Sequence, residues 1–285
     1  MDQRTGTGPD LPLAGRTIGV TAARRVTEQR EHFERRGARV VAATGIRMVS
    51  GADDAAVHEA TEQALAGGAD VVVVTTVGGL RLWEEAAAAR GRGDGLAALL
   101  RSTPVYSRGA KVTGALRARD IREAGVAADE TSAEILRMLT ATGVAGRRVV
   151  VQTQGAGGSW HPMSGLVDGL RAAGAEVVEV PTYRWEPVLD DEHWDALVRA
   201  AAGGEMDALT FTSAPAVVAT LDRAEELGVA GELRAALGGP VVPLCVGPVT
   251  AEPLVARGVE AVVPERMRLG ALLRLADRVL GPRPA

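Results

Sequence analysis

Cysteine is nearly missing from this chain: Cys245 is the only one among 285 residues. No intrachain disulfide can form, which suits a reducing compartment. The residue lies inside the apolar run Val-Val-Pro-Leu-Cys-Val, with nothing nearby to lower a thiol pKa, so it reads as a buried strand thiol and not a nucleophile. Long hydrophobic runs are missing as well. No stretch approaches the roughly 18 continuous apolar residues of a membrane span. The N-terminal Met1-Asp-Gln-Arg-Thr-Gly-Thr-Gly-Pro9 lacks the apolar core of a signal peptide and is expected to be disordered. These absences point to a cytoplasmic protein with no membrane partner. Nor is there an excess of positive charge: the net charge of −4 argues against nucleic acid as the main partner.

Common catalytic signatures are also lacking. His32, His58, His161 and His193 are scattered, without an HExxH or His/Cys cluster, so no metal is expected. No Gly-x-Ser-x-Gly elbow marks a serine hydrolase. Gly155-Ala-Gly-Gly158 is the nearest approach to a phosphate loop, but it has neither a Walker lysine nor GxGxxG spacing. Acidic pairs such as Glu84-Glu85 and Glu225-Glu226 fall on helix patterns and read as solvated faces.

What is present is a duplication. Asp70-Val-Val-Val-Val-Thr-Thr76 is echoed by Asp207-Ala-Leu-Thr-Phe-Thr-Ser213, each an apolar run that ends in a hydroxyl pair and enters a helical pattern. Phe33-Glu-Arg-Arg-Gly37-Ala-Arg-Val40 echoes Leu170-Arg-Ala-Ala-Gly174-Ala-Glu-Val177, and the segment after Gly109 echoes that after Gly247. Partners stand about 137 residues apart, far beyond a solenoid period of roughly 20–50. Taken alone, the repeat divides the chain once, near 143–146, into two similar domains with a ligand cleft between them.

Apolar β-rich runs alternate with helical patterns throughout. Strands are expected over 16–21, 38–43, 71–75, 104–107, 148–153, 176–180, 208–212, 241–246 and 261–263. Helices are expected over 27–36, 55–66, 79–90, 112–124, 132–142, 162–173, 191–202, 214–227, 251–256 and 269–280. This alternation predicts doubly wound α/β domains with parallel sheets covered on both faces.

Ligands in such sheets sit beyond the carboxyl ends of the strands. Thr21, Thr75-Thr76, Thr212-Ser213, Gly109, Gly247 and the loop from Gln152 to Gly158 all fall at that edge. Thr and Ser also suit the N-cap role there. The same chemistry at matching positions of both halves favours a ligand-facing rim. Arg24, Arg25 and Lys111, the only lysine, follow strands at the same edge and suit a substrate bearing several carboxylates. Val180-Pro-Thr-Tyr183-Arg-Trp-Glu-Pro187 is proline-flanked and extended, as a domain connector would be, and Tyr183 is a candidate proton donor.

Four segments carry a resemblance to the uroporphyrinogen-III synthase family. They are Val180-Pro-Thr-Tyr-Arg184, Leu209-Thr-Phe-Thr-Ser-Ala-Pro-Ala-Val217, Val246-Gly-Pro-Val-Thr-Ala-Glu-Pro-Leu254 and the closing run 264–280. The resemblance spans 13–280. It implies that each domain mixes both repeats: 1–45 joins 186–285 in a discontinuous α/β domain, and 46–185 forms an inserted one. The connectors would lie near 43–49 and 182–188. The implied reaction is cyclisation of the linear tetrapyrrole hydroxymethylbilane with inversion of ring D and loss of water, by a monomer needing no metal or organic cofactor. Tyr183 matches the tyrosine that assists departure of the hydroxyl group. Thr76, Thr212, Ser213, Gly247 and Thr250 match cleft positions that would hold substrate carboxylates, with Thr21, Arg24, Arg25, Lys111 and Ala214 as further substrate-binding candidates. Val112 stands opposite Thr250, so the inserted domain offers no hydroxyl there. A non-catalytic, two-lobed small-molecule-binding or regulatory homologue is the alternative.

Overall fold

Val71-Val-Val-Val74 has no polar side-chain atom and branches at every Cβ, so it fits a strand buried on both faces. In the computed structural model, which describes residues 11–155, 163–188 and 191–281, all four valines are buried at the centre of a parallel sheet. The chain divides into two units. Met48–Glu186 forms an inserted unit, and Met1–Arg47 with Pro187–Ala285 forms a discontinuous one.

The sheet of the inserted unit runs in the order β6 (Gly125–Val126), β5 (Val105–Ser107), β4 (Val71–Val74), β7 (Arg148–Thr153), β8 (Glu176–Pro181), all neighbours parallel. Side chains alternate across it. Val72 and Val74 pack with Leu80 and Trp83 of α3 (Val77–Ala89), Leu96 and Leu100 of α4 (Gly93–Ser102), Val57 of α2 (Ala55–Gly67) and Leu116 of α5 (Ala110–Arg117). Val71 and Val73 pack on the other face with Ile135 and Leu139 of α6 (Ser132–Thr142) and Leu166 and Leu170 of α7 (Ser164–Ala172). The buried Trp83 indole donates to Thr61 Oγ1 at 3.0 Å, so its one polar atom is satisfied.

In the discontinuous unit the order is β11 (Val242–Cys245), β10 (Ala208–Phe211), β1 (Thr17–Val20), β2 (Arg39–Ala42), again parallel. Ile18, Val20 and Leu244 pack with Phe33 of α1 (Val26–Glu34) and Leu272 and Ala276 of α12 (Leu269–Leu280). The remaining helices are α8 (Glu192–Ala202), α9 (Ala214–Glu226), α10 (Ala230–Leu237) and α11 (Pro248–Val255). In both sheets chain order reverses at the central pair, β4/β7 and β10/β1, which is where doubly wound folds open a ligand crevice. The chain crosses between units twice, and the two crossing strands, β3 (Ile46–Ser50) and β9 (Tyr183–Pro187), form a separate two-stranded sheet.

Register overturns the single cut near 143–146. β7 pairs with β4 through Val151↔Val73 and with β8 through Val151↔Glu179, so the start of the second repeat lies in one sheet with the middle of the first. Other expectations change locally. The helix expected over 112–124 stops at Arg117, and Asp120 turns the chain with φ 57°. The expected strand over 261–263 is a single bridge, Leu244↔Val262. Helices α4 and α10 were not anticipated, and α11 starts at Pro248, three residues before its expected start. The N-terminal tail, His161 and the Gly-rich loop beyond Gly155 lie outside the described residues. No helix among the described residues is long and apolar enough to cross a membrane.

Candidate functional site

Parallel strands bring their carboxyl ends, and the amino ends of the following helices, to one edge of each sheet. In the inserted unit that edge is organised by Gln152, which is wholly buried. Its Oε1 accepts from the backbone nitrogens of Thr75 and Thr76, each at 3.1 Å, and from the Thr75 hydroxyl at 3.0 Å. Its Nε2 donates to Thr153 O and Thr182 Oγ1, both at 3.0 Å. Gly79 makes room for this arrangement, because a Cβ there would overlap the Gln152 carboxamide. Thr76 caps α3, its Oγ1 accepting from Gly79 N at 3.0 Å. The backbone nitrogens of Thr75 and Thr76 are therefore spent inside the protein, and the Thr76 hydroxyl proton has no acceptor among the described residues.

Tyr183, the first residue of β9, is buried, and its Oη donates to Gln154 Oε1 at 2.8 Å. Its ring stands edge-on to Trp185 with centroids 6.3 Å apart. The adjacent Arg184 pairs with Asp54 at 3.1 Å and Glu186 at 2.9 Å. Arg108 differs: it is half-buried, and its guanidinium has no hydrogen bond or ion pair among the described residues. Burial pushes its pKa below the usual arginine value, opposed by the nearby Tyr183 oxygen and the Glu130 carboxylate. Gly109 is the N-cap of α5, with the Glu130 side chain lying against it, and Lys111 is exposed in the first turn.

The discontinuous unit has a different balance. Thr21 is wholly buried and gives its hydroxyl proton to Thr210 O at 2.8 Å, tying β1 to β10. Arg25 takes the left-handed conformation (φ 55°) before α1 and pairs with Glu28, while Arg24 beside it is exposed. Val246 N donates to Phe211 O at 2.9 Å, which sets Gly247 beside Thr212 at the ends of neighbouring strands. Gly247 caps α11, and Met267 lies over it. Ser213 is the N-cap residue of α9, yet its side chain makes no capping hydrogen bond; Ala214, the first helical residue, is buried. The hydroxyls of Thr212, Ser213 and Thr250 have no hydrogen-bond partner among the described residues, although Thr250 is buried. Three hydroxyls at one edge whose protons the described fold does not use are available to a ligand.

The sequence places Gln152 at the end of the strand over 148–153 and in the edge loop that also holds Gln154, with no role for either side chain, and it singles out neither Thr182 nor Arg108. For Gln152 the signal was a lone carboxamide ending the apolar strand Val149-Val-Val-Gln152. Cys245 is buried as expected, and burial pushes its thiol up to about 12.

Two doubly wound α/β units linked by two crossings, each with a polar carboxyl edge, place this chain among two-domain α/β proteins with parallel sheets. A family model described as uroporphyrinogen-III synthase HemD matches residues 27–274, and the chain belongs to the uroporphyrinogen-III synthase family. A mutant uroporphyrinogen III synthase from the extremely thermophilic bacterium Thermus thermophilus is 28% identical, with a TM-score of 0.74 over 93% of this chain and 98% of that one. The wild-type Thermus enzyme in another crystal form is 29% identical, with a TM-score of 0.60 over the same shares. A Bacillus subtilis (strain 168) protein described as uncharacterized protein YjjA is 29% identical over 206 residues, 72% of this chain and 74% of its own.

Proposed function

We propose that this protein is a uroporphyrinogen-III synthase, a lyase that closes hydroxymethylbilane into uroporphyrinogen III with inversion of ring D. Within the family assignment, the observation that carries the reading is the set of unpaired hydroxyls of Thr212, Ser213 and Thr250. They suit the acetate and propionate carboxylates of a linear tetrapyrrole, each accepting hydrogen bonds without requiring a fixed counter-ion. Thr76, the backbone at Ala214 and Gly247, and the cations Arg24, Arg25 and Lys111 extend the same chemistry, while Thr21 holds the β1–β10 junction of its own unit.

In this reaction Tyr183 gives its Oη proton to the hydroxymethyl oxygen of the substrate. The C–O bond breaks as the pyrrole nitrogen donates electron density, and water leaves. The products of that step are an azafulvenium cation and a tyrosine phenolate. Carbon–carbon bond formation to the substituted position of ring D gives a spiro intermediate, and rearrangement sets the inverted ring. The proton finally lost from carbon equals the one the phenolate takes back. Holding the bilane in the conformation that inverts is the greater part of the task, since the free bilane closes to the uninverted isomer by itself.

The test supplies freshly generated hydroxymethylbilane to the purified protein and separates the oxidised isomers. The type III isomer should dominate and rise with protein concentration. Type I product at high protein concentration would sink the reading in favour of a non-catalytic homologue.

A further inference from the structure

In the inserted sheet β7 runs between β4 and β8, with Val74, Gln152 and Val180 side by side in register. Gln152 thus brings a carboxamide to the end of the middle strand, and the two ends of that group have opposite chemistry. The oxygen only accepts and the nitrogen only donates. On the β4 side Oε1 meets donors, Thr75 N and Thr76 N at 3.1 Å and the Thr75 hydroxyl at 3.0 Å. On the β8 side Nε2 meets acceptors, Thr153 O and Thr182 Oγ1, both at 3.0 Å. Donors on one side and acceptors on the other fix which way the amide faces. The Thr182 hydroxyl in turn donates to Thr153 O at 3.3 Å.

This bridge joins the peptide that bears Thr76 to the peptide that bears Tyr183. The exit of β7 holds the second peptide at further points. Thr182 N donates to Thr153 O at 3.2 Å, Gly155 N to Tyr183 O at 2.7 Å, and Tyr183 Oη to Gln154 Oε1 at 2.8 Å. Residues 152–155 therefore support Tyr183 from below, and Gln152 ties that support to the strand leading into Thr76. Gln152 and Thr182 are both wholly buried, so each acts through its neighbours. The strand that opens the other repeat, β1, ends on Val20, whose side chain can make no such bridge.

We propose that Gln152 is a positioning residue that acts through Thr182, fixing the Thr182–Tyr183 peptide, and with it the phenol, relative to the Thr76 hydroxyl. This role rests on the reaction proposed above, in which Tyr183 gives its proton to the hydroxymethyl oxygen. Proton transfer needs heavy atoms within about 2.6–3.2 Å, so a donor displaced by about 1 Å loses much of its rate. Substrate carboxylates held by other groups are still bound. Loosening Thr182 therefore lowers kcat more than it raises KM.

Thr182→Val keeps the shape of the buried side chain and removes the acceptor of Gln152 Nε2. With hydroxymethylbilane it should lose about tenfold in kcat for type III product with KM nearly unchanged, and Thr182→Ser should restore most of the rate. Should Thr182→Val fold poorly, Gln152→Glu gives a second handle. Its protonated carboxyl can accept from Thr75 and donate to Thr182, whereas the ionised form cannot donate. Its kcat relative to the parent should therefore fall as pH rises through the ionisation of that carboxyl. A readout without turnover comes from the tyrosines, since the chain has only Tyr106 and Tyr183. In a Tyr106→Phe background the carbon-13 ring signal of Tyr183 should shift in Thr182→Val, return in Thr182→Ser and follow the carboxyl titration in Gln152→Glu. A signal that stays put in these variants, or a loss of kcat matched by an equal rise in KM, overturns the proposal even where the parent makes type III product. A parent that makes only type I product, with the ring signal responding as expected, instead overturns the reaction and with it the catalytic use of the bridge.

Discussion

The carboxamide oxygen of Gln152 lies 3.1 Å from the backbone nitrogen of Thr75 and 3.0 Å from its hydroxyl, locking β7 to β4 where the sheet reverses its order. Replacing Gln152 with Leu would strand two backbone donors, Thr75 N buried and Thr76 N part-buried, and remove a partner of Thr182. A loss of about 3 kcal/mol or more is expected, at roughly 1–3 kcal/mol per unsatisfied group. Gly79→Ala should destabilise through the same carboxamide, which it would displace. In urea titrations the two changes should be less than additive, because the second disrupts contacts already lost.

Thr250 presents the opposite case. The residue is buried, but its hydroxyl makes no hydrogen bond among the described residues, so Thr250→Val should leave stability nearly unchanged. Substrate affinity should fall by about tenfold, the value of one hydrogen bond to a charged group. Equal losses of stability and affinity would show that the hydroxyl serves the fold.

Tyr183→Phe removes the proton and keeps the ring against Trp185. We expect kcat to fall by about a hundredfold, in the range of general acid catalysis, with product binding largely retained. Matching losses in kcat and product affinity would assign Tyr183 to substrate positioning alone.

His32 connects acidity to the discontinuous unit. Burial lowers its pKa from the ordinary 6.5, with Arg36 and Arg35 acting the same way and Asp277 opposing them. The unfolded chain therefore takes up this proton first. Stability should decline as pH falls through 6.5 toward the folded-state value and rise again with increasing pH. Denaturant midpoints of His32→Gln measured between pH 5 and 7.5 should show a flatter profile than the parent, with Arg36 still paired to Asp277 at 2.8 Å.

Cys245 should be inert. With its thiol pushed up to about 12 by burial in β11, it should react with a disulfide reagent at pH 8 only as fast as the protein opens. Rapid labelling of the native protein would contradict the packing of β11 against β10.

Local pattern carried much of the architecture. The helices over 132–142 and 269–280 and the strand over 148–153 stand at their expected limits, because their periodicity coincides with a cap or a turn. Helix α4 escaped notice because Gly91, Gly93 and Gly95 read as a loop, although Leu96 and Leu100 anchor it to the core. Expectation also overran α5, since nothing local reveals that Asp120 adopts a left-handed conformation. Among the polar residues, the hydroxyls were readable from the duplicated strand ends. Gln152 was not, because its significance lies in partners far away in the chain, Thr75, Thr76 and Thr182.

The residues alone establish that this is a duplicated α/β chain: buried valine strands, hydroxyls at the strand ends, and one irregular segment around Tyr183. Those properties are local, and they follow from branching, burial and the period of side chains. Which strands share a sheet is not local. β1 pairs with β10 across almost two hundred residues of chain, Ile18 against Ala208, while β7 inserts between β4 and β8. Only folding makes that choice, because a buried strand satisfies its backbone against any neighbour of suitable register, and packing of the whole core selects among them. The same selection sets Thr75 and Thr76 against Gln152 and leaves the hydroxyls of Thr212, Ser213 and Thr250 without a partner among the described residues.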